Sequence, residues 1–258
     1  MTGERVQWVD SHCHLYMHDE SDSVLLERAV AVGVEWIVCP GIDLESSLAA
    51  RSVAQRHPDR VRWTAGLHPH DAVRWGEERS RIEALAVDAA AIGECGLDYY
   101  RDLSPRDDQH RALTDQFSLA ERLGKPIVLH CRDAFADLHA MVEAAQFGER
   151  AVLHCWTGGP KWTRRFASLG VTFSFAGPIT YETGDTVRRG AAEAPPERTM
   201  IETDTPYLTP PPHRKDPNEP ANVLRVGAAL ADVWGIEPAE VAQLSATTAA
   251  RVFGSPRT

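Results

Sequence analysis

Eight short apolar runs, most of them separated by a segment with helical period, restrict what this chain can become more than any other feature. They are Val6 to Val9, Trp36 to Val38, Val61 to Ala65, Ala89 to Ile92, Ile127 to Leu129, Ala151 to Leu153, Val171 to Ala176 and Met200 to Ile201. Between them Leu25, Ala29 and Val32, then Leu113, Phe117, Ala120 and Leu123, then Phe135, Leu138, Val142 and Ala145 recur at the spacing of one helix face. Ser104-Pro105 reads as a cap with proline at the first helical position, and Asp133 as the cap of the next helix. Gly33, Gly124 and Gly170 read as helix ends just before strands. Such alternation gives a parallel α/β sheet, and eight units close most simply as a (β/α)8 TIM barrel. The competing arrangement, an open doubly wound sheet, gathers functional residues at one switch point, and no glycine-rich phosphate loop follows the first run.

The length of 258 residues suits one such barrel, so residues 1–258 are expected to form a single domain. The proline-rich stretch from Thr209 to Pro220 admits neither a regular helix nor a central strand. Used as a linker it would leave a unit of only about 38 residues, too small to stand alone. It is therefore expected to fold over the barrel mouth, with Ala221 to Val233 and Pro238 to Phe253 as closing helices.

Barrel enzymes build their sites at the C-terminal strand ends, and five of the runs carry metal-competent residues there. Asp10-Ser11-His12-Cys13-His14 follows the first run, and alternation puts His12 and His14 on one face and Cys13 on the other. Glu94, His130 and His154 end the fourth, fifth and sixth runs, and Glu202-Thr203-Asp204 ends the last. The set suffices for two ions, one among His12, His14, Glu94 and Asp204, the other among Glu94, His130 and His154, with Glu94 as the bridge. Imidazole and carboxylate ligands suit Zn2+, Mn2+ or, more weakly, Mg2+. Cys13, Cys95, Cys131 and Cys155 each follow a ligand and turn away from its metal. The odd total of five, without Cys-x-x-Cys pairs, fits neither a disulfide framework nor a zinc knuckle.

A two-metal centre activates water and clamps the oxygens of an electrophile, so the chemistry is hydrolysis. Asp204 serves as ligand and base beside Glu94. Arg132, on the face of His130, grips a phosphate or else pairs with Asp133 or Asp137. His68, in Gly66-Leu67-His68-Pro69-His70, hydrogen-bonds the substrate or protonates a leaving group. Tyr99, Tyr100, Trp156 and Tyr207 flank the ligands and either stack on bases or pack the rim.

These motifs, together with Gly93-Glu94-Cys95-Gly96-Leu97-Asp98-Tyr99-Tyr100, His154-Cys155-Trp156-Thr157-Gly158 and Glu202-Thr203-Asp204-Thr205-Pro206-Tyr207-Leu208, resemble in order those of the TatD family of metal-dependent deoxyribonucleases. Asn218-Glu219-Pro220 matches the family's next element. The resemblance implies a TIM barrel of the amidohydrolase superfamily, a divalent-metal centre at His12, His14, Glu94, His130, His154 and Asp204, and 3′-to-5′ exonuclease activity, chiefly on single-stranded DNA. Three segments depart from the family pattern: Glu182 stands for a lysine in Thr180-Tyr181-Glu182, His213-Arg214-Lys215-Asp216-Pro217 lacks the glycine of the usual His-Arg-Gly-Lys and adds an acid, and Ala250 replaces the asparagine of Thr-x-Asn.

The formal charge of −10 argues against extensive duplex binding and favours DNA ends or single-stranded DNA as substrate. No apolar run approaches the roughly 18 to 20 residues of a membrane span, no export signal opens the sequence, and a cytoplasmic protein is expected. Two other readings are held beside the nuclease. One hydrolyses an ester, amide or lactone, such as an acylated tRNA end, with a carboxylated lysine as the usual metal bridge. The other is a subunit of a multi-protein system whose metal site is structural.

Overall fold

The computed structural model describes residues 6–256, so the outermost positions of the 1–258 span lie outside the described residues. The strands are β1 (Trp8–Asp10), β2 (Val34–Cys39), β3 (Val61–Ala65), β4 (Ala91–Asp98), β5 (Ile127–Arg132), β6 (Ala151–Leu153), β7 (Thr172–Phe175) and β8 (Thr199–Ile201). The helices are α1 (Asp22–Ala31), α2 (Leu44–Arg56), α3 (Trp75–Ala86), α4 (Arg106–Leu123), α5 (Phe135–Ala144), α6 (Pro160–Ser168), α7 (Asp185–Ala191), α8 (Val223–Trp234) and α9 (Pro238–Phe253). Every strand pairs in parallel with the next, in the order β1 to β8. No helix among the described residues is long and apolar enough to cross a membrane.

The expected (β/α)8 barrel is thus observed, with longer strands at β2, β4 and β5 than their apolar cores suggest. In β4 and β5 the added residues are the site motifs themselves, Glu94 to Asp98 and His130 to Arg132. The first strand is displaced, to Trp8–Asp10 rather than Val6 to Val9.

The sheet closes between its first and last strands through the segments just beyond them. Ser11 N donates to Ile201 O (3.1 Å), Asp204 N to His12 O (2.9 Å) and His14 N to Thr205 O (3.0 Å). Asp10 stitches this seam from within, accepting from Thr203 N at 2.9 Å, Thr203 Oγ1 at 2.5 Å and His12 N at 3.3 Å. Its burial pushes the carboxyl up to about 8, against three hydrogen bonds that favour the anion.

Alternation sorts the apolar residues into two layers. Val9, Trp36, Val38, Ala91, Val128, Val152 and Met200 fill the lower barrel, where Ala249 and Phe253 of α9 plug the floor. Ile37, Ile92, Leu129, Leu153 and Ile201 point the other way, into the larger layer shared with the helices, as do Cys13, Cys39, Cys95 and Cys131. His130 stands two residues above Val128, and His154 two above Val152. The polar upper barrel therefore continues the inward face of the apolar floor.

Glu94 departs from that pattern. Strict alternation from Ala91 would turn it outward, but Ile92 pairs with Ile127 and Cys95 with Leu129, so β4 spends one residue more than β5 between them. This bulge brings Glu94 inward. It needs Gly93, whose φ of +123° is costly for a residue with a side chain, and where an added Cβ would stand 2.5 Å from Val128 O.

Gly124 ends α4 in the left-handed conformation (φ +63°), and Gly33 and Gly170 take positive φ where α1 and α6 give way to strands, as expected. The two expected caps differ. Pro105 is the N-cap of α4, because the Ser104 hydroxyl donates to His70 O, and Ala134 precedes α5, because Asp133 adopts φ +56°. The stretch from Thr209 to Pro220 folds back over the end of β8. Asn218 anchors it, donating through Nδ2 to Thr203 O (2.9 Å) and Tyr207 O (2.8 Å) while its own carbonyl accepts from Thr205 Oγ1 (2.6 Å). Both closing helices form, α8 beginning two residues later than expected.

Gly93→Ala is expected to cost about 3 kcal/mol, through left-handed strain and overpacking. Gly76→Ala in α3, where an added Cβ meets nothing within 4 Å, is expected to be neutral or slightly stabilising. Urea midpoints of the two variants check the contrast, and equal midpoints would contradict the role given to Gly93.

Candidate metal centre

Six imidazole and carboxylate side chains converge where β1, β4, β5, β6 and β8 end. Within this set His12, His14 and Asp204 lie close enough to share one ion, as do His12, Glu94 and His154, and so do Glu94 and His130 with His68. Glu94 stands in the middle. Its Oε2 faces His12 Nε2 at 3.2 Å and His14 Nε2 at 4.0 Å, while Oε1 faces His154 Nε2 at 2.8 Å, His130 Nδ1 at 3.2 Å and His68 Nε2 at 3.2 Å. Asp204 Oδ1 closes the Oε2 side, 3.4 Å from His14 Nε2 and 3.9 Å from His12 Nε2. A φ of +55° aims Asp204 back across the seam.

The partners behind each ring select its tautomer. Tyr16 donates its hydroxyl to Pro40 O (2.9 Å), so its oxygen accepts from His14 Nδ1 (3.0 Å) and His14 Nε2 keeps its lone pair for the centre. Glu202 Oε1 holds His154 Nδ1 at 3.2 Å, which frees Nε2, and Asp98 Oδ2 holds His130 Nε2 at 3.1 Å, which frees Nδ1. His68 is set the other way. His70 N donates to His68 Nδ1 (3.2 Å), so the neutral ring carries its proton on Nε2 and offers the centre a donor, not a lone pair.

Electrostatics follow from the crowding. Burial would raise Glu94, but His154, His68 and the hydrogen bonds from His12 and His130 hold it well below the usual carboxylate range. Burial pulls His154 down, yet the carboxylates of Glu94 and Glu202 carry it well above an ordinary histidine. His130 is likewise raised, burial being outweighed by Asp98 and Glu94. For His68 burial wins and its pKa falls to about 4, so it is neutral at physiological pH.

The residues expected to bind substrate are placed less uniformly. Arg132 is exposed, its guanidinium 3.9 Å over the Tyr100 ring rather than paired with Asp133 or Asp137. Trp156 is corrected: it is 1% exposed, packed against Phe135, Phe166 and Phe173, with Nε1 donating to Thr163 Oγ1 (2.8 Å), and no base can reach it. Cys155, at φ +43°, redirects the chain after His154, and Trp156 enters the layer between the strands and the helices. Tyr99 is corrected in part, because Arg106 covers its ring at 4.0 Å and its hydroxyl is held at 2.6 Å by Asp137 and His110. The exposed rim aromatics are Tyr100 and Tyr207.

Sequence reasoning passed over Asp98, Glu202 and Tyr16, which orient ligands without touching the centre. Glu202 had a visible signal, two residues before Asp204 at the end of the last apolar run. It is fully buried, and Cys155 N also donates to it at 2.7 Å.

The sequence profile of the TatD related DNase family matches residues 9–254. The uncharacterized metal-dependent hydrolase YabD of Bacillus subtilis (strain 168) is 34% identical over 250 residues, spanning 95% of this chain and 98% of its own. The 3'-5' ssDNA/RNA exonuclease TatD of Cronobacter sakazakii is 37% identical over 246 residues, 92% of each chain. The crystal structure of YJJV, a TatD homologue from Escherichia coli K12, superposes with a TM-score of 0.92 at 26% identity over 98% of this chain and 100% of that one.

Because His154 and His130 are raised by neighbouring carboxylates, Zn2+ or Mn2+ is expected to displace protons on binding near neutral pH, and affinity is expected to fall as the pH is lowered and these rings hold their protons more fully. Calorimetry in buffers of different ionisation enthalpy measures the release. Binding without proton release, or affinity that does not change with pH, would contradict the arrangement.

Proposed function

The chain belongs to the TatD-related DNase family and is a metal-dependent hydrolase, and from that premise we propose that it is a two-metal nuclease trimming single-stranded DNA from the 3′ end. The observation that carries the two-metal reading is Glu94, with one carboxylate oxygen facing His12 and His14 and the other facing His130 and His154. In this reading His12, His14 and Asp204 would hold one divalent ion and His130 and His154 the other, with Glu94 available to both.

Divalent ions bound there supply Lewis-acid contact to a phosphoryl oxygen and lower the pKa of water. The chain's own residues do the rest. Asp204, whose side chain is 14% exposed, receives a proton from the attacking water. His68, neutral and protonated on Nε2, directs that proton at Glu94 Oε1 (3.2 Å) and so holds the carboxylate in place beside the phosphate. With its pKa lowered to about 4 the ring carries no imidazolium proton to give a leaving group near neutral pH, so positioning is its task. Arg132, restrained by its stack on Tyr100, offers the in-plane N–H pairs of the guanidinium to the scissile phosphate.

A reading in which a carboxylated lysine bridges the ions for ester or amide hydrolysis is disfavoured. The chain has three lysines. Lys125 is tied to the carbonyls of Ala86 and Val87 (2.7 and 2.6 Å), Lys161 lies over Trp162, and Lys215 is exposed in the strap over β8. Glu94, with imidazoles facing both of its oxygens, would take that place instead.

Purified protein given a 5′-labelled single strand, with EDTA and then with Mg2+, Mn2+ or Zn2+ restored, is expected to produce a ladder that shortens from the 3′ end. Glu94→Ala is expected to lose more than about 100-fold, beyond what partners behind metal ligands usually account for. An undiminished ladder from Glu94→Ala would sink the site assignment, and intact DNA in every metal would sink the nuclease reading.

A further inference from the structure

Apart from Arg132, a second guanidinium lies on a second tyrosine. Arg214, in the strap between β8 and α8, has its Cζ 3.4 Å from the centroid of the Tyr181 ring. Tyr100 follows β4 and Arg132 ends β5, while Tyr181 and the strap follow β7 and β8, so the two stacks stand about three strands apart around the ring, at the same strand-end mouth as the metal centre.

The Tyr181 platform is held from several directions. Its carbonyl accepts from Gly184 N (2.9 Å) and Arg188 Nη1 (2.6 Å). Its hydroxyl lies over Gly177 at the C-terminal end of β7, where an added Cβ would stand 3.2 Å from the phenolic oxygen and would collide with Leu208 O. Gly177 thus lets the ring lie against the loop that follows Asp204. Burial raises the Tyr181 hydroxyl to about 12, with Arg214 opposing, so the platform is a neutral phenol.

Arg214 itself is exposed and, among the described residues, has no carboxylate within 4.0 Å. The acid introduced nearby, Asp216, faces His213 Nδ1 at 3.5 Å instead. A guanidinium stacked on a ring keeps its N–H edge free for a phosphate and loses less freedom on binding than an unsupported one.

We propose that Arg214, presented by Tyr181, binds a backbone phosphate of the substrate other than the one being cleaved, and so makes the enzyme prefer a nucleic-acid chain to an isolated phosphodiester. The proposal rests on the nuclease reading above. It gives Arg132 and Arg214 different phosphates of one strand laid across the mouth.

The test uses full-length protein, Arg214→Ala, Arg214→Lys and Tyr181→Leu, with two readouts. Fluorescence anisotropy follows a short labelled single strand binding in EDTA over a range of salt. Kinetics with Mn2+ compare that strand with bis(4-nitrophenyl) phosphate. Arg214→Ala is expected to weaken strand binding about tenfold and to lower the slope of log K against log salt by about 0.7, the share of one phosphate contact on a single strand. Its kcat/KM ratio of strand to small diester is expected to fall about tenfold, mostly in KM. Arg214→Lys should keep the salt slope, and Tyr181→Leu should fall between wild type and Arg214→Ala in affinity. Unchanged affinity and slope in Arg214→Ala overturn the proposal even if wild type degrades DNA, as does an equal loss on both substrates. Wild type that hydrolyses the small diester yet neither binds nor cuts the strand overturns the nuclease reading and this proposal together.

Discussion

A carboxylate buried in the middle of a barrel must be matched by charge or protons, and the rest of this structure is arranged around that demand. Glu94 is 3% exposed and meets imidazoles on both of its oxygens. Those rings in turn need anchors, and Asp98, Glu202 and Tyr16 supply them from the wall. The result is an inner acid, a ring of bases and an outer set of acceptors. Such a ring suits a divalent cation, whose charge would match Glu94 and whose coordination would use the imidazole lone pairs.

Barrel closure and site assembly are consequently one event. The backbone bonds that join the first and last strands run through His12, His14 and Asp204, three of the proposed ligands. Asp10 accepts from both His12 N and Thr203 N, so the carboxyl that fastens the seam also fixes the spacing between the two ends of the donor set. Stability below comes from a different source. The floor is apolar and plugged by α9, with Arg62 donating to Phe253 O (3.2 and 3.0 Å) at its edge. The lower barrel carries the packing, which leaves the upper barrel free to hold polar groups that an apolar core would reject.

Much of this was legible in the sequence because parallel strands buried on both faces announce themselves as short apolar runs, and barrel topology sends their C-terminal ends to one mouth. His130 and His154 follow directly from alternation above Val128 and Val152. Glu94 does not. Its placement inward depends on a one-residue register shift that only Gly93 and the pairing with β5 define. Trp156 fails for a related reason: sequence proximity to His154 suggested the rim, but a left-handed turn at Cys155 redirects the chain into the layer between the strands and the helices. Ser104 and Asp133 carried good capping chemistry, which tertiary contacts and backbone geometry redirected. The supporting acids were hidden because their function lies in which imidazole nitrogen they occupy, a property of three-dimensional reach.

The three departures from the family pattern separate in space, and their positions say what each can affect. Ala250 belongs to α9 and packs beside the apolar floor, remote from the strand ends where the donors lie. Glu182 and Asp216 are exposed on the β7 loop and the strap, near Tyr181 and Arg214. None falls among the donors or the acids behind them. The two rim departures alter what approaches the centre while leaving the chemistry at Glu94 untouched. On a chain of net charge −10, an anionic substrate reaches the mouth only where cations are set locally. Arg132 and Arg214, each immobilised on a tyrosine, are placed to supply that charge at two separated points.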